Sequence, residues 1–77
     1  MTKVRLGIIG VGNLGSGHVG NILAGKCPEI TIAAVADRRE ARRQWAIDTL
    51  PAGTPVFEEG SDLIKSGLCN AVLIATP

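Results

Sequence analysis

Three glycines spaced G-x-G-x-x-G, at Gly10, Gly12 and Gly15, directly follow the apolar run Val4 to Ile9. That run is rich in β-branched residues and too short for a self-standing helix, so it predicts a strand buried on both faces, as in a parallel sheet. Beyond the glycines, Val19, Ile22 and Leu23 recur at helical spacing. The chain therefore passes from strand through a tight turn into a helix, which is the setting a dinucleotide fingerprint requires. Each glycine has its own task in that reading. Gly10 lets the backbone turn sharply, Gly12 lets a pyrophosphate come against the main chain, and Gly15 lets the helix sit close to the strand. The helix start at Asn13 and Leu14 directs free N–H groups and roughly half a positive charge at the phosphates. The bare motif also fits a strand–helix turn with no ligand, and a second feature separates the two.

That feature is Asp37. It ends a second apolar strand, Ile30 to Ala36, about twenty residues past the glycines, where a carboxylate reaches the ribose hydroxyls of an adenosine. Its position also suits an N-cap for the following helix; the two roles are compatible, but only the ribose role explains the pairing with the glycines. Arg38 comes next, where an arginine lies over an adenine ring or meets a 2′-phosphate. Asp37 favours NAD and Arg38 pulls toward NADP. Arg42 and Arg43 read as a solvated helix face.

The remaining chain alternates helix and strand. Helix one is expected from Asn13 to about Ala24, ended by Gly25 with Pro28 beyond; its interior glycines demand compensating close packing, since each costs up to ~1 kcal/mol against alanine. Helix two is expected from about Arg38 to Leu50, with Ala41, Trp45, a position near Ile47 and Leu50 forming its apolar stripe. Pro55 to Phe57 make a brief third strand, and Glu58-Glu59 lead a short third helix carrying Leu63 and Ile64 and ended by Ser66-Gly67. Asn70 to Ala75 make a fourth strand. Right-handed crossovers then give an α/β fold, a Rossmann-type parallel sheet ordered 3-2-1-4 with flanking helices. Trp45 reads as packing. His18 reads as a polar residue hydrogen-bonding near the first helical turn, with a ligand or general base as the alternative.

Composition closes off other classes. At 77 residues the chain makes one small domain at most, and a net charge of +1 lacks the basic excess of a nucleic-acid surface. No apolar run approaches a membrane span, and strand begins right after Met1-Thr2-Lys3, leaving no room for a leader; the expected compartment is the cytoplasm. Cys27 and Cys69 have no metal or redox spacing and are expected to be free thiols at the end of the sheet away from the nucleotide.

Val4 to Gly15, Val35-Ala36-Asp37-Arg38, His18 and the closing Ala71-Val72-Leu73-Ile74-Ala75-Thr76-Pro77 together resemble the start of the Gfo/Idh/MocA oxidoreductases. The resemblance covers essentially the whole chain, and Ala-Thr-Pro is more specific than the glycines. It implies that Ala75, Thr76 and Pro77 line the nicotinamide half of the cofactor site, that Gly10, Gly12 and Gly15 form the phosphate turn, and that Asp37 and Arg38 serve the adenosine end. Asn70 departs from the aspartate common in relatives, at the far end of the strand. Family members continue with a strand bearing a catalytic Glu-Lys-Pro motif and then a substrate domain that also builds the oligomer. Residues 1–77 are thus expected to be a partial dinucleotide-binding domain of a homo-oligomeric NAD(P)-dependent oxidoreductase acting on a sugar, cyclitol or similar polyhydroxylated substrate, with no catalytic or metal-binding residue of their own. The alternative is a non-catalytic nucleotide-binding or regulatory module.

Overall fold

The β-branched run Val4–Ile9 forms the first strand, β1, and lies in the middle of the sheet. The computed structural model describes residues 4–26 and 28–75, and of residues 13 and 14 the backbone. After β1 come α1 (Asn13–Leu23), β2 (Ile30–Ala36), α2 (Glu40–Thr49), β3 (Val56–Phe57), α3 (Gly60–Lys65) and β4 (Ala71–Ile74). The strands pair in the order β3-β2-β1-β4, all in parallel. Parallel neighbours need long crossovers, and here the three helices supply them. This is the Rossmann-type sheet that the alternation of elements predicts.

The β1–β2 ladder contains one irregularity. Leu6 pairs with Ile32, but the next residue, Gly7, pairs with Ala34, so Ala33 is an extra residue in β2. Ile32 and Val35 consequently lie on one face, although three positions separate them. That face carries the larger core: Ile8, Val11, Val19, Val35, Ala46 and Leu50, with Leu6, Ile32, Trp45 and Val56 against them. On the opposite face Ala34, Ala36 and Leu63 pack with Ile9, Phe57 and Cys69. Here Gly7 admits its neighbours by lacking a side chain, since a Cβ would lie 2.6 Å from Cys69 Sγ and 2.7 Å from Leu63 Cδ2. Cys69 is a free thiol whose burial pushes its pKa up, in keeping with a space-filling role; Cys27 lies outside the described residues.

The helix ends follow local chemistry. At the close of α1, Gly25 adopts φ +82°, its N–H bonds the Ile22 carbonyl and the Lys26 N–H bonds that of Asn21. This is the paired C-terminal closure that glycine favours. The glycines inside α1 behave otherwise than expected. A Cβ at Gly17 or Gly20 would meet nothing within 4 Å, so no close packing compensates for them. α2 also departs from expectation: it starts at Glu40, two residues late, and buries Ala46 while Ala41 and Ile47 face outward; Leu50, at its C-cap, is buried as expected. At β4, the Asn70 side chain accepts the Arg5 N–H at 2.8 Å while its own N–H donates to the Arg5 carbonyl, lengthening the ladder. β4 is an outer strand, with Val72 and Ile74 exposed. No helix among the described residues is long and apolar enough to cross a membrane.

Candidate dinucleotide site

The glycine turn is held between the C-terminal ends of β2 and β4. The Gly10 N–H donates to the Ala36 carbonyl, and the Ala75 N–H donates to that of Ile9, both at 2.8 Å. Gly10 takes φ +95°, a conformation that strongly favours glycine. A Cβ on Gly15 would overlap the Gly10 carbonyl oxygen, with the Ala75 Cβ close behind at 3.5 Å. α1 can therefore begin directly on the turn only because position 15 lacks a side chain. Gly12 is the N-cap, no side chain caps it, and the first turn holds no acid. The backbone at Asn13 and Leu14 opens the helix, so its leading N–H groups face the end of the sheet where ligands of parallel α/β folds bind. Ala75 lies at this same end; Thr76 and Pro77 lie outside the described residues.

Asp37 reaches the turn from β2. It is buried, and its Oδ2 accepts the Val11 N–H at 3.0 Å. Its Oδ1 accepts the Arg39 N–H at 2.9 Å. The Arg39 guanidinium completes the set, Nε to Oδ1 at 3.0 Å and Nη2 to Oδ2 at 2.8 Å. The hydrogen bonds and charge of Arg39 hold the Asp37 carboxyl well below the usual carboxylate range, against the opposing effect of burial. The same contact raises the Arg39 pKa. Asp37 does not cap α2; Arg39 occupies the N-cap position and no side chain caps there. The carboxylate turns instead toward a donor 26 residues upstream, which displaces the helix start by two residues.

The arginines differ from one another more than their sequence suggests. Arg38 forms an exposed ion pair with Glu59 at 2.8 Å across the mouth of a cleft. Arg42, expected on a solvated face, donates from Nε to the Val11 carbonyl at 2.7 Å and lies 4.9 Å from the Trp45 ring centroid. Arg43 donates to the carbonyls of Asp37 and Arg38 at 3.1 and 2.8 Å. Both tie α2 to the loops around the site, so that expectation is corrected. Arg39 was not singled out by the sequence; its signal was its spacing of two from Asp37, which permits a turn closed by the carboxylate. His18 is exposed on α1.

The cleft measures about 790 Å³. It is lined by Gly10, Asp37, Arg38 and Arg39, by Glu58 to Ser61 with Ile64, and by Ile9 and Ala36. It opens at the C-terminal edge of the sheet, beside the end of β2. A 3-2-1-4 parallel sheet, a glycine turn opening a helix, and a buried acid held to that turn together define a Rossmann unit of the dinucleotide-binding class.

The comparisons carry this further. The sequence profile of the oxidoreductase family with an NAD-binding Rossmann fold, Gfo/Idh/MocA, matches residues 4–77, and the chain belongs to that family. It is 39% identical over 77 residues to the rhizopine catabolism protein MocA of Rhizobium meliloti, covering 100% of this chain and 23% of the relative. It is 37% identical over 75 residues to an inositol 2-dehydrogenase of Rubrobacter xylanophilus, covering 97% of this chain and 21% of the relative. Among solved structures, scyllo-inositol dehydrogenase from Lactobacillus casei with bound NAD(H) and scyllo-inositol superposes with a TM-score of 0.85 at 32% identity, over 97% of this chain and 22% of that one. The chain thus spans less than a quarter of the length of the relatives it matches.

Proposed function

We propose that residues 1–77 are the partial dinucleotide-binding domain of an NAD(P)-dependent dehydrogenase that moves a hydride between the nicotinamide and a sugar, cyclitol or similar polyhydroxylated substrate. The observation that carries this reading is the Asp37–Val11 hydrogen bond, which brings the acid at the end of β2 onto the glycine turn. Phosphates would rest on Gly10, Gly12, Asn13, Leu14 and Gly15, with Gly12 as the closest approach. The adenosine would lie toward Asp37 and Arg38, and Ala75, Thr76 and Pro77 would wall the nicotinamide half.

The cofactor supplies or accepts the hydride; this part of the chain binds and orients it. Groups that move the substrate's hydroxyl proton would come from another domain of the complete, homo-oligomeric protein in the cytoplasm. The substrate class is supported by the similarity to the inositol dehydrogenases, one of which holds scyllo-inositol beside NAD(H).

The test is titration calorimetry of the complete protein with NAD. Gly12→Val is expected to abolish binding while far-UV circular dichroism stays unchanged. A Cβ there meets only the flexible end of Arg39, at 3.1 Å, so the fold has room to adjust where a pyrophosphate does not. Unchanged affinity in the folded variant would remove the turn from phosphate binding.

A further inference from the structure

We propose that Arg39 sets cofactor choice, because its guanidinium occupies the positions on Asp37 that an adenosine ribose needs. This inference rests on the dinucleotide reading of the site. An ionised carboxylate offers about four acceptor positions. On Asp37 all four are taken: Oδ1 by the N–H and Nε of Arg39, Oδ2 by the Val11 N–H and Arg39 Nη2. A ribose diol cannot bond this carboxylate until a donor leaves. The two backbone donors are fixed by the turn and by the approach to α2. The other two belong to a side chain that is 58% exposed and hangs on rotatable bonds. Arg39 is therefore the group that yields.

A second, independent contact points the same way. Arg39 Nη2, Nη1 and Cζ lie 3.1, 3.8 and 3.9 Å from where a Gly12 Cβ would stand. The guanidinium thus fills the approach to the glycine turn as well as the face of Asp37. A dinucleotide would have to move it from both.

The two cofactors would move it differently. NAD presents a 2′-hydroxyl, which competes with the guanidinium for the carboxylate, so the ion pair must open. NADP presents a 2′-phosphate. A guanidinium has five N–H donors in a fixed fork, and two of them on Asp37 leave three for the phosphate. Arg39 can then stand between two anions that would otherwise repel each other. The three arginines that flank it on this side of the fold are turned elsewhere: Arg38 directs its Nε to Glu59, Arg42 its Nε to the Val11 carbonyl, and Arg43 its Nη1 to the carbonyls of Asp37 and Arg38. The pair therefore hinders NAD and admits NADP, and Arg39, the cation that lies on Asp37 itself and beside Gly12, is the specificity-determining one.

The experiment is parallel calorimetric titration of the complete protein with NAD and with NADP, before and after Arg39→Ala and Arg39→Lys, with folding followed by circular dichroism. Arg39→Ala is expected to tighten NAD about fivefold, the scale of releasing one partly exposed ion pair, and to weaken NADP about tenfold or more by baring Asp37. Arg39→Lys keeps the charge and is expected to hold NADP within a few fold of the parent. Equal weakening of both cofactors in Arg39→Ala would make Arg39 an ordinary ligand of the shared pyrophosphate and overturn the inference. An unmoved NAD/NADP ratio would overturn it too. Both outcomes leave the dinucleotide reading standing. Failure of the parent to bind either cofactor would remove that reading, and this inference with it.

Discussion

Asp37 is a small acid asked to hold three things at once: the glycine turn through Val11, the start of α2 through the Arg39 N–H, and the guanidinium beside it. Because the folded state keeps its carboxyl below the ordinary value of 3.8, the sign of its pH effect is fixed. The stabilisation is fully present above the unfolded value and is lost as pH falls below it toward the depressed folded one. Asp37→Asn is expected to cost about 1–3 kcal/mol at pH 7, the range for hydrogen bonds to a charged group. The gap between parent and variant should then narrow as pH falls below about 4. Urea melts across that range check it, and a gap that stays constant down to acid would mean that the carboxylate's charge contributes nothing. Gly15→Ala tests the other side of the turn. Its Cβ has to displace the Gly10 carbonyl, which is backbone and cannot rotate aside. A loss of about 1–3 kcal/mol is expected from such overpacking, together with weaker cofactor binding; a variant as stable as the parent would mean that the turn adapts freely.

Among the elements, α1 offers a contrast between glycines. Gly25, at φ +82°, has a conformational task, whereas Gly17 and Gly20 have neither a special φ nor a neighbour. Gly17→Ala and Gly20→Ala are each expected to stabilise the domain by about 0.5–1 kcal/mol. A drop in thermal midpoint for either would show that its surface is needed for packing elsewhere in the complete protein. The same helix shows what a sequence can and cannot display. The bounds of β1 and α1 were legible because glycines punctuate both ends, and the strand order followed from the alternation of strands and helices. The start of α2 was not legible. Asp37 suits an N-cap by residue type, but Val11, far away in sequence, shares its carboxylate, and the helix opens at Arg39 with no side chain capping it. Arg42 and Arg43 were misread for a related reason. Their donors are visible in the sequence, but their acceptors are main-chain carbonyls at Val11, Asp37 and Arg38 that only the fold brings near. The inward stripe of α2 was likewise decided by which side faced the sheet: Trp45 and Leu50 turn inward as expected, with Ala46 beside them in place of Ala41 and Ile47.

At the scale of the whole molecule, the outer position of β4 has consequences for the 77-residue polypeptide taken alone. Domains near this size bury only about 60% of their unfolded surface. Here β4 also presents Val72 at 40% and Ile74 at 67% exposure beside an edge that no strand among the described residues pairs, a surface that invites pairing with another chain. The isolated polypeptide is expected to sediment as associated species, to bind NAD weakly and to turn over no polyol. Ile74→Lys should shift it toward monomer, whereas a stable parent monomer with NAD-dependent activity would refute the partial-domain reading. The extra residue in β2 bears on the molecule in another way. Side chains along a strand alternate, so any odd change in residue count reverses the direction of everything downstream until the chain is re-registered. Ala33 is such a change, and the bulge re-registers the chain at once, so that Gly7 still pairs with Ala34, Ile8 with Val35 and Ile9 with Ala36. The bulge, and not the extra residue itself, therefore keeps the acid on the Val11 side. Deletion of Ala33 would make Leu6–Ile32 and Gly7–Ala34 neighbouring pairs of a regular ladder and leave the carboxylate facing Val11, while one more residue in β2 with no second bulge to absorb it would swing the carboxylate to the α3 side of the sheet, without altering one residue of the binding site.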